Sequence, residues 1–548
     1  MKKYSVLLIL IICSQFVNAQ TFQWQSSIGG SDLDYPNSIW VGTDGCSYIT
    51  GNYYSHNLKF ANQVLAINCN SSPMNFFLVK INSSGQPVFA RDAQGTADAI
   101  GLDVRTDSSQ NIYNLVINNS SFWLSIDNDT FMSGTSGACA LLLKYNSNGD
   151  FLWGKPFSNG ESFEMLAGMD IIDKNNIISC SSDIAFISDS LGHVISTSRD
   201  LKICDFDSTG NIKWTKSLKN IHKLYKIETD KHGNINILCK KQIDSVYIDS
   251  QYIATDSLDF FIIRFNKNGD FLEYISFLSD DDFEYVYFTI DNKDNIYFTG
   301  SFSSQTFSAF NLPTQHKLNQ AAYSKDIFFV KTDYHGAGKW INSATSYSQK
   351  HLLKLTTDSI GNLYGLGEQF NDTGIYFNNV HYPANPGNIN FLIKIDTLGN
   401  LLDYIPSTSF TNIFYSFRVA APNEIYMTSQ IPSNGIPLFG TTTVNSYGIT
   451  DIWFGKFTYS TGVNQIYKPD LDISIYPNPS CDFVNFKLQG NIIFQKIWIT
   501  DLFGKIVKPS SKIGITSNRI NISELAKGMY FINVSTDKGS KTFKFIKI

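Results

Sequence analysis

One phrase returns along the chain, and it constrains the fold more than any other feature. Its first half is an Asp-turn-Asn unit leading into alternating residues: Asp107–Tyr113 (DSSQNIY), Asp230–Ile237 (DKHGNINI), Asp291–Gly300 (DNKDNIYFTG) and Asp358–Gly365 (DSIGNLYG). Asp44–Gly51 and Asp173–Ile178 are shortened copies, and Ala421–Met427 (APNEIYM) is a degenerate seventh. Asp, Asn and Gly suit such a turn because they tolerate positive φ and cap its free backbone groups. The alternation that follows predicts the second strand of a hairpin.

The second half comes about 35 residues further on: an apolar strand, a basic residue, a Gly turn, then an aromatic. It reads FFLVKINSSGQPVF from Phe76, LLLKYNSNGDFLW from Leu141 and LKICDFDSTGNIKW from Leu201, and it recurs from Phe260, Ile327 and Phe391. The basic position runs Lys80, Lys144, (Asp205), Arg264, Lys331, Lys394 and Lys456, at spacings of 59 to 67 residues. The aromatic position reads Phe89, Trp153, Trp214, Tyr274, Trp340 and Tyr404. The seventh copy, from Ile452, stops at its turn, while Trp24 (TFQWQSSIGG) lacks the first half of its own hairpin. Pairing the strand of Trp24 with the strand of Lys456 completes both and closes a ring, which removes two aggregation-prone sheet edges. The expected fold is all-β: a β-propeller of about seven blades closed by the N-terminal strand, followed by a small C-terminal β-sandwich. An array of β-sandwiches built from the same hairpins is the alternative.

The D-x-x-G-N-x-Y-x-x-G phrase resembles the bacterial beta-propeller repeat family, and the resemblance covers residues 20–462. Blade three departs from it at Asp205, and blade seven lacks the Asp-Gly-Asn turn, so the count is open by one blade. Segment 463–472 is polar with a proline and reads as a linker.

Residues 473–548 are short alternating strands separated by Gly490, Gly504, Gly528 and Gly539. Within them come Tyr476-Pro477-Asn478-Pro479, then Asp501 with Gly504-Lys505, then Leu525, Gly528 and Tyr530, then a Lys-rich last strand holding Lys547. That order of phrases closely resembles the type A sorting domain of type IX secretion. The resemblance implies crossing of the inner membrane on a signal peptide and recognition by the outer-membrane secretion machinery. The cargo is then anchored to surface polysaccharide or released. The start of the chain agrees: Lys2-Lys3, an apolar run Val6–Ile12, and a cleavage site after Val17-Asn18-Ala19, before Gln20, make residues 1–19 a signal peptide. No later stretch is apolar enough to span a bilayer as a helix.

Charge and motif content narrow the function classes. A net charge of -5 gives no field for nucleic acid or anionic membrane. The eight cysteines include no Cys-x-x-Cys; one disulfide, such as Cys46–Cys69, is compatible with their spacing. Gly134-Thr135-Ser136-Gly137 has the look of a protease serine loop, but no base or orienting partner accompanies it, and a polar turn is favoured. The eight histidines form no metal-ligand pair. The turns Asn266–Asp270 and Asp291–Asn295 partly mimic calcium loops without the distant Glu, so no cofactor is expected and calcium is left open. No catalytic, cofactor or metal residues are identifiable. The favoured function is a non-enzymatic surface or extracellular module that binds a polysaccharide, another glycan or a protein. The alternative is a secreted glycan hydrolase or lyase with acids gathered around the axis. Carboxylates and aromatics clustered at a channel mouth would point to the enzyme.

Overall fold

A computed structural model describes residues 21–548 apart from short segments, the longest being 161–166, 254–259, 317–324, 408–413, 434–443, 459–472 and 509–518. The signal peptide, its cleavage site at Ala19 and Gln20, the linker 463–472, Cys69 and the 134–137 turn lie outside the described residues. All the regular secondary structure among the described residues is β.

Seven antiparallel four-stranded units follow one another: 34–91, 99–160, 167–219, 221–278, 283–345, 350–406, and 414–458 completed by Thr21–Gly29. Their first strands are Asp34–Val41, Ala99–Thr106, Ala167–Asp173, Ile221–Thr229, Phe283–Ile290, Lys350–Thr357 and Phe414–Ala421. These touch in cyclic order, and the last returns to the first. In the seventh unit Thr21–Gly29 pairs antiparallel with Thr450–Thr458, with Trp24 opposite Lys456. The far side of this strand is covered as well, because Ile28 pairs with Phe60 of a hairpin inserted into the first unit.

The repeated phrase has a mechanical meaning, seen in the same form in five of the seven units. The basic residue of the third strand lies opposite one fixed position of the second: Lys80 with Tyr48, Lys144 with Tyr113, Lys331 with Tyr297, Lys394 with Tyr364, Lys456 with Tyr426. Each ammonium lies 5.0–5.3 Å from the centre of that tyrosine ring, a cation–π contact. The tyrosine hydroxyl in turn donates to the turn aspartate, as Tyr113 does to Asp107 at 3.2 Å and Tyr364 to Asp358 at 3.1 Å. Asp107 Oδ1 also accepts from the Ser109 and Asn111 amides, which explains why Asp and Asn recur in the phrase.

The same residues dock each unit on the next. Lys144 Nζ (2.7 Å) and Trp153 Nε1 (3.2 Å) both donate to the Ser208 carbonyl in the third unit's turn. Lys331 and Trp340 do the same to Thr397, both at 3.1 Å. The Trp153 ring packs on Gly210, where φ is +84° and an added Cβ would sit 2.9 Å from the indole, so glycine is required twice over. Trp24 repeats the contact across the seam, donating to the Ser83 carbonyl at 2.8 Å with its ring on Gly85. In the third unit, where aspartate takes the basic slot, Asp205 is answered within its own unit by Lys213 at 3.1 Å and Asn176 at 2.8 Å.

Two sequence expectations are corrected. The position facing Arg264 and Lys394 is held by Glu273 and Asp403, not by Tyr274 and Tyr404. These tyrosines stand one residue further along, and the strand's period of two turns them to the opposite face. Ile275 rather than Tyr274 therefore packs on the following glycine, Gly336. Cys46 is a free thiol rather than half of a bridge.

A buried carboxyl pair lies at the seam between the seventh and first units. Asp34 is fully buried; its Oδ2 accepts from the Gly30 amide (2.8 Å) and the Ser55 hydroxyl (2.9 Å). Burial first, against these hydrogen bonds, and then the nearby Asp451 push its pKa up to about 7. A proton held in the folded but not the unfolded state stabilises the fold at low pH. That contribution is complete below pH 4 and is lost as pH rises through about 7. His351, held down to about 4 by burial, acts in the opposite sense as pH falls from 6.5. The difference between the wild type and Asp34→Asn isolates the carboxyl. Relative to wild type, the variant should gain on the order of 3 kcal/mol between pH 4 and pH 8 in urea titrations. A pH-independent difference would mean that Asp34 does not titrate in the fold.

The tail forms a separate two-sheet sandwich. One sheet holds Ile473–Tyr476, Phe483–Leu488 and Arg519–Asn521; the other holds Phe494–Thr500, Ile506–Lys508, Gly528–Thr536 and Gly539–Lys547. Val484, Ile499, Ile532 and Phe545 are among the residues of the core between them.

Candidate functional site

The seven first strands enclose a cavity of about 210 Å³ on the ring axis. The residue opposite the fixed second-strand position is Trp40, Arg105, Asp170, Glu228, Thr289, Thr356 and Arg418 in units one to seven. Of these, Trp40, Arg105, Thr356 and Arg418 line the cavity. Two residues earlier along their strands, Ser38, Asp103, Lys226, Tyr287 and Lys354 supply a second layer. The first strands thus carry function-bearing variety at positions where the outer strands carry the repeat.

Electrostatics divides the charged groups into two sets. Arg105 pairs with Asp103 and lies 3.6 Å from Asp170. Asp170 Oδ2 is held by the Thr229 amide (2.7 Å) and hydroxyl (2.9 Å). Lys226 pairs with Glu228 at 2.6 Å and donates to the Phe288 carbonyl at 2.8 Å. Glu228 Oε1 accepts from the Thr289 hydroxyl (3.0 Å) and the Ile290 amide (3.2 Å). Asp103 also takes the Ser38 hydroxyl at 2.7 Å. Every axial carboxylate is therefore fixed by a cation, by neighbouring hydrogen-bond donors, or by both. Lys354 and Arg418 form the other set: neither has an ion pair or hydrogen bond among the described residues. Arg418 rests its guanidinium 4.2 Å from the Trp40 ring centre, and Arg105 lies 4.7 Å from the same ring.

None of these axial residues was singled out in the sequence. The signal that would have found them is local: Arg105, Glu228, Thr289 and Thr356 each stand two residues before the turn aspartate of their repeat. Aligning the stretch that precedes the phrase, rather than the phrase itself, exposes the variable column. The calcium-like turns are occupied by their own backbone: Asn266 Oδ1 accepts from the Asn268 and Asp270 amides, and Asp291 Oδ1 from those of Lys293 and Asn295.

The predicted sorting residues gather on the tail sandwich. Tyr476 ends an edge strand and is half exposed. Asn478, between Pro477 and Pro479, grips the last strand, donating to the Lys544 carbonyl (2.9 Å) and accepting from the Ile546 amide (2.9 Å). Tyr530 donates to the Ala526 carbonyl (3.0 Å) and stacks on Phe545. Leu525 packs against the core, Gly528 opens its strand, and Lys547 closes the last one. Asp501 is partly buried at the end of its strand, while Gly504 and Lys505 lie outside the described residues.

Residues 474–548 match the family described as the Secretion system C-terminal sorting domain. That domain directs the chain through type IX secretion to the cell surface or the extracellular space, and it implies contact with the secretion machinery. No helix among the described residues is long and apolar enough to cross a membrane. No curated protein matches the chain in sequence. Among solved structures, similarity is found to an ulvan lyase of polysaccharide lyase family PL25, with 10% identity, 81% of this chain and 91% of that one covered, and a TM-score of 0.35. An α-L-arabinofuranosidase from Fusarium graminearum gives 7% identity, 81% and 99% coverage, and a TM-score of 0.34. A protein of unknown function from Bacteroides caccae gives 12%, 60% and 89%, and 0.29.

Proposed function

We propose that the chain is an extracellular binding module that captures its ligand at the ring axis without transforming it. The observation that carries this reading is the state of the three axial carboxylates, Asp103, Asp170 and Glu228. All are engaged by donors fixed in the strands. A general acid or a nucleophile needs a carboxyl free to approach the substrate, and glycoside cleavage needs two of them facing one bond.

A glycan hydrolase or lyase is the second reading. It is favoured by the company Asp103 keeps, since Trp40, Tyr225 and Tyr287 line the same cavity. A glycan array probed with the mature chain, with reducing-end release followed in parallel, separates the two. Retention on the array without release is the expected result; new reducing ends would assign the chain to the second class.

A further inference from the structure

We infer that the axial cavity is an oxyanion site in which Lys354 and Arg418 hold a carboxylate, sulfate or phosphate group of the ligand. This rests on the binding reading above and names the chemistry the site selects.

The argument begins with charge balance. Four cations, Arg105, Lys226, Lys354 and Arg418, stand in or beside the cavity against three carboxylates, Asp103, Asp170 and Glu228. The carboxylates are consumed by Arg105 and Lys226 and by main-chain and hydroxyl donors. Lys354 and Arg418 line the cavity with no ion pair or hydrogen bond among the described residues. An unpaired charge drawn out of bulk water is costly, so a fold keeps one where something else supplies the opposite charge. Burial, opposed by Asp103 and reinforced by Lys226 and Arg105, lowers the pKa of Lys354; burial and then Arg105, against Glu228, Asp170 and Asp103, lower that of Arg418. Both shifts have the sign expected of cations that lack a partner.

Position supports the same conclusion. Lys354 and Arg418 come from adjacent units, the sixth and seventh, whose first strands are in contact. The Trp40 ring against Arg418 restricts the guanidinium's freedom, which lowers the ordering cost of binding. A planar guanidinium and a compact ammonium lining one cavity are groups suited to oxyanions. The cavity, about 210 Å³, is smaller than the roughly 300 Å³ at which drug-sized sites begin, so it admits one charged group or one small residue rather than a chain. Thr356 and Ser416 line it beside these cations and offer hydroxyls to a polar carrier.

The test is calorimetric titration of the mature full-length chain with glucuronate, glucose 6-sulfate, inorganic sulfate, inorganic phosphate and neutral glucose. Binding of the anions at least tenfold tighter than glucose is expected. Preference for the acidic sugars over the inorganic ions would place the anion on a glycan, and the reverse order would make the ligand a free ion. Lys354→Met and Arg418→Met should each weaken anion binding about tenfold or more. Both should keep the wild-type urea midpoint or raise it, since each removes an uncompensated charge. Anion binding unchanged in both variants, or no anion binding at all, overturns the proposal. Array binding that persists in the variants would sink the axial site while leaving the binding function standing; release of reducing ends would sink that function without touching the anion site.

Discussion

Cells making the chain without residues 473–548 should accumulate it in the periplasm, with surface or medium signal falling at least tenfold. The structural ground is the independence of the tail. Among the described residues, its core of Val484, Ile499, Ile532, Phe545 and their neighbours contains no residue of the ring, and none of the ring's core clusters contains a residue of the tail. Truncation therefore removes the export address without opening the cargo's core, and the retained protein should be folded and resistant to protease. A point variant sharpens the test. Asn478→Ala removes both hydrogen bonds that tie the Tyr-Pro-Asn-Pro segment to the last strand, and each such bond contributes about 1 kcal/mol. It should lower the tail's stability and reduce export without abolishing it. Fractionation with protease shaving of intact cells reads both. Undiminished surface display of the truncated chain would show that the tail is not the address.

The sequence made the outer framework legible because the framework is repetitive. Lys144, Trp153, Gly210 and their counterparts perform one task, clamping the next unit's turn, so the same residue types return in most units. The tail was readable for a related reason: its phrases are tied to one another, as Asn478 is to the last strand. The axis was not readable. Arg105, Asp170, Glu228, Lys354 and Arg418 belong to first strands where each unit supplies a different chemical group, and only the closing of the ring brings them together. Repetition reveals what units share, whereas a shared cavity is built from what they do not. Tyr274 shows a smaller failure of the same kind. Matching by residue type placed it in the aromatic slot, but the strand's two-residue period gives that slot to Glu273.

Deleting residues 20–29 should cost the ring most of its stability. Three side chains of this strand enter the core: Ile28 is fully buried, Phe22 meets Trp453 and Phe457 edge-on at 5.5 and 5.4 Å, and Trp24 meets Tyr426 at 6.0 Å. Removing a large apolar side chain from a packed site costs about 2–5 kcal/mol. Even at the lower end, three such losses rival the roughly 5–15 kcal/mol that holds a typical domain together. The deletion does further damage at the backbone level. It strips one of the two hydrogen-bonded neighbours from Thr450–Thr458, leaves the Phe60 hairpin without its neighbour, and exposes an apolar strand edge to other molecules. The expected result is a chain that loses its cooperative urea transition and elutes as aggregate, against a monodisperse wild type. Trp24→Ala, which spares the strand, should shift the transition by only about 2–3 kcal/mol. A synthetic peptide of residues 20–29, added during refolding of the deleted chain, should restore the transition in proportion to its concentration, as ligand linkage requires. If the deleted chain unfolds at the wild-type midpoint without peptide, the ring does not depend on the N-terminal strand for its closure.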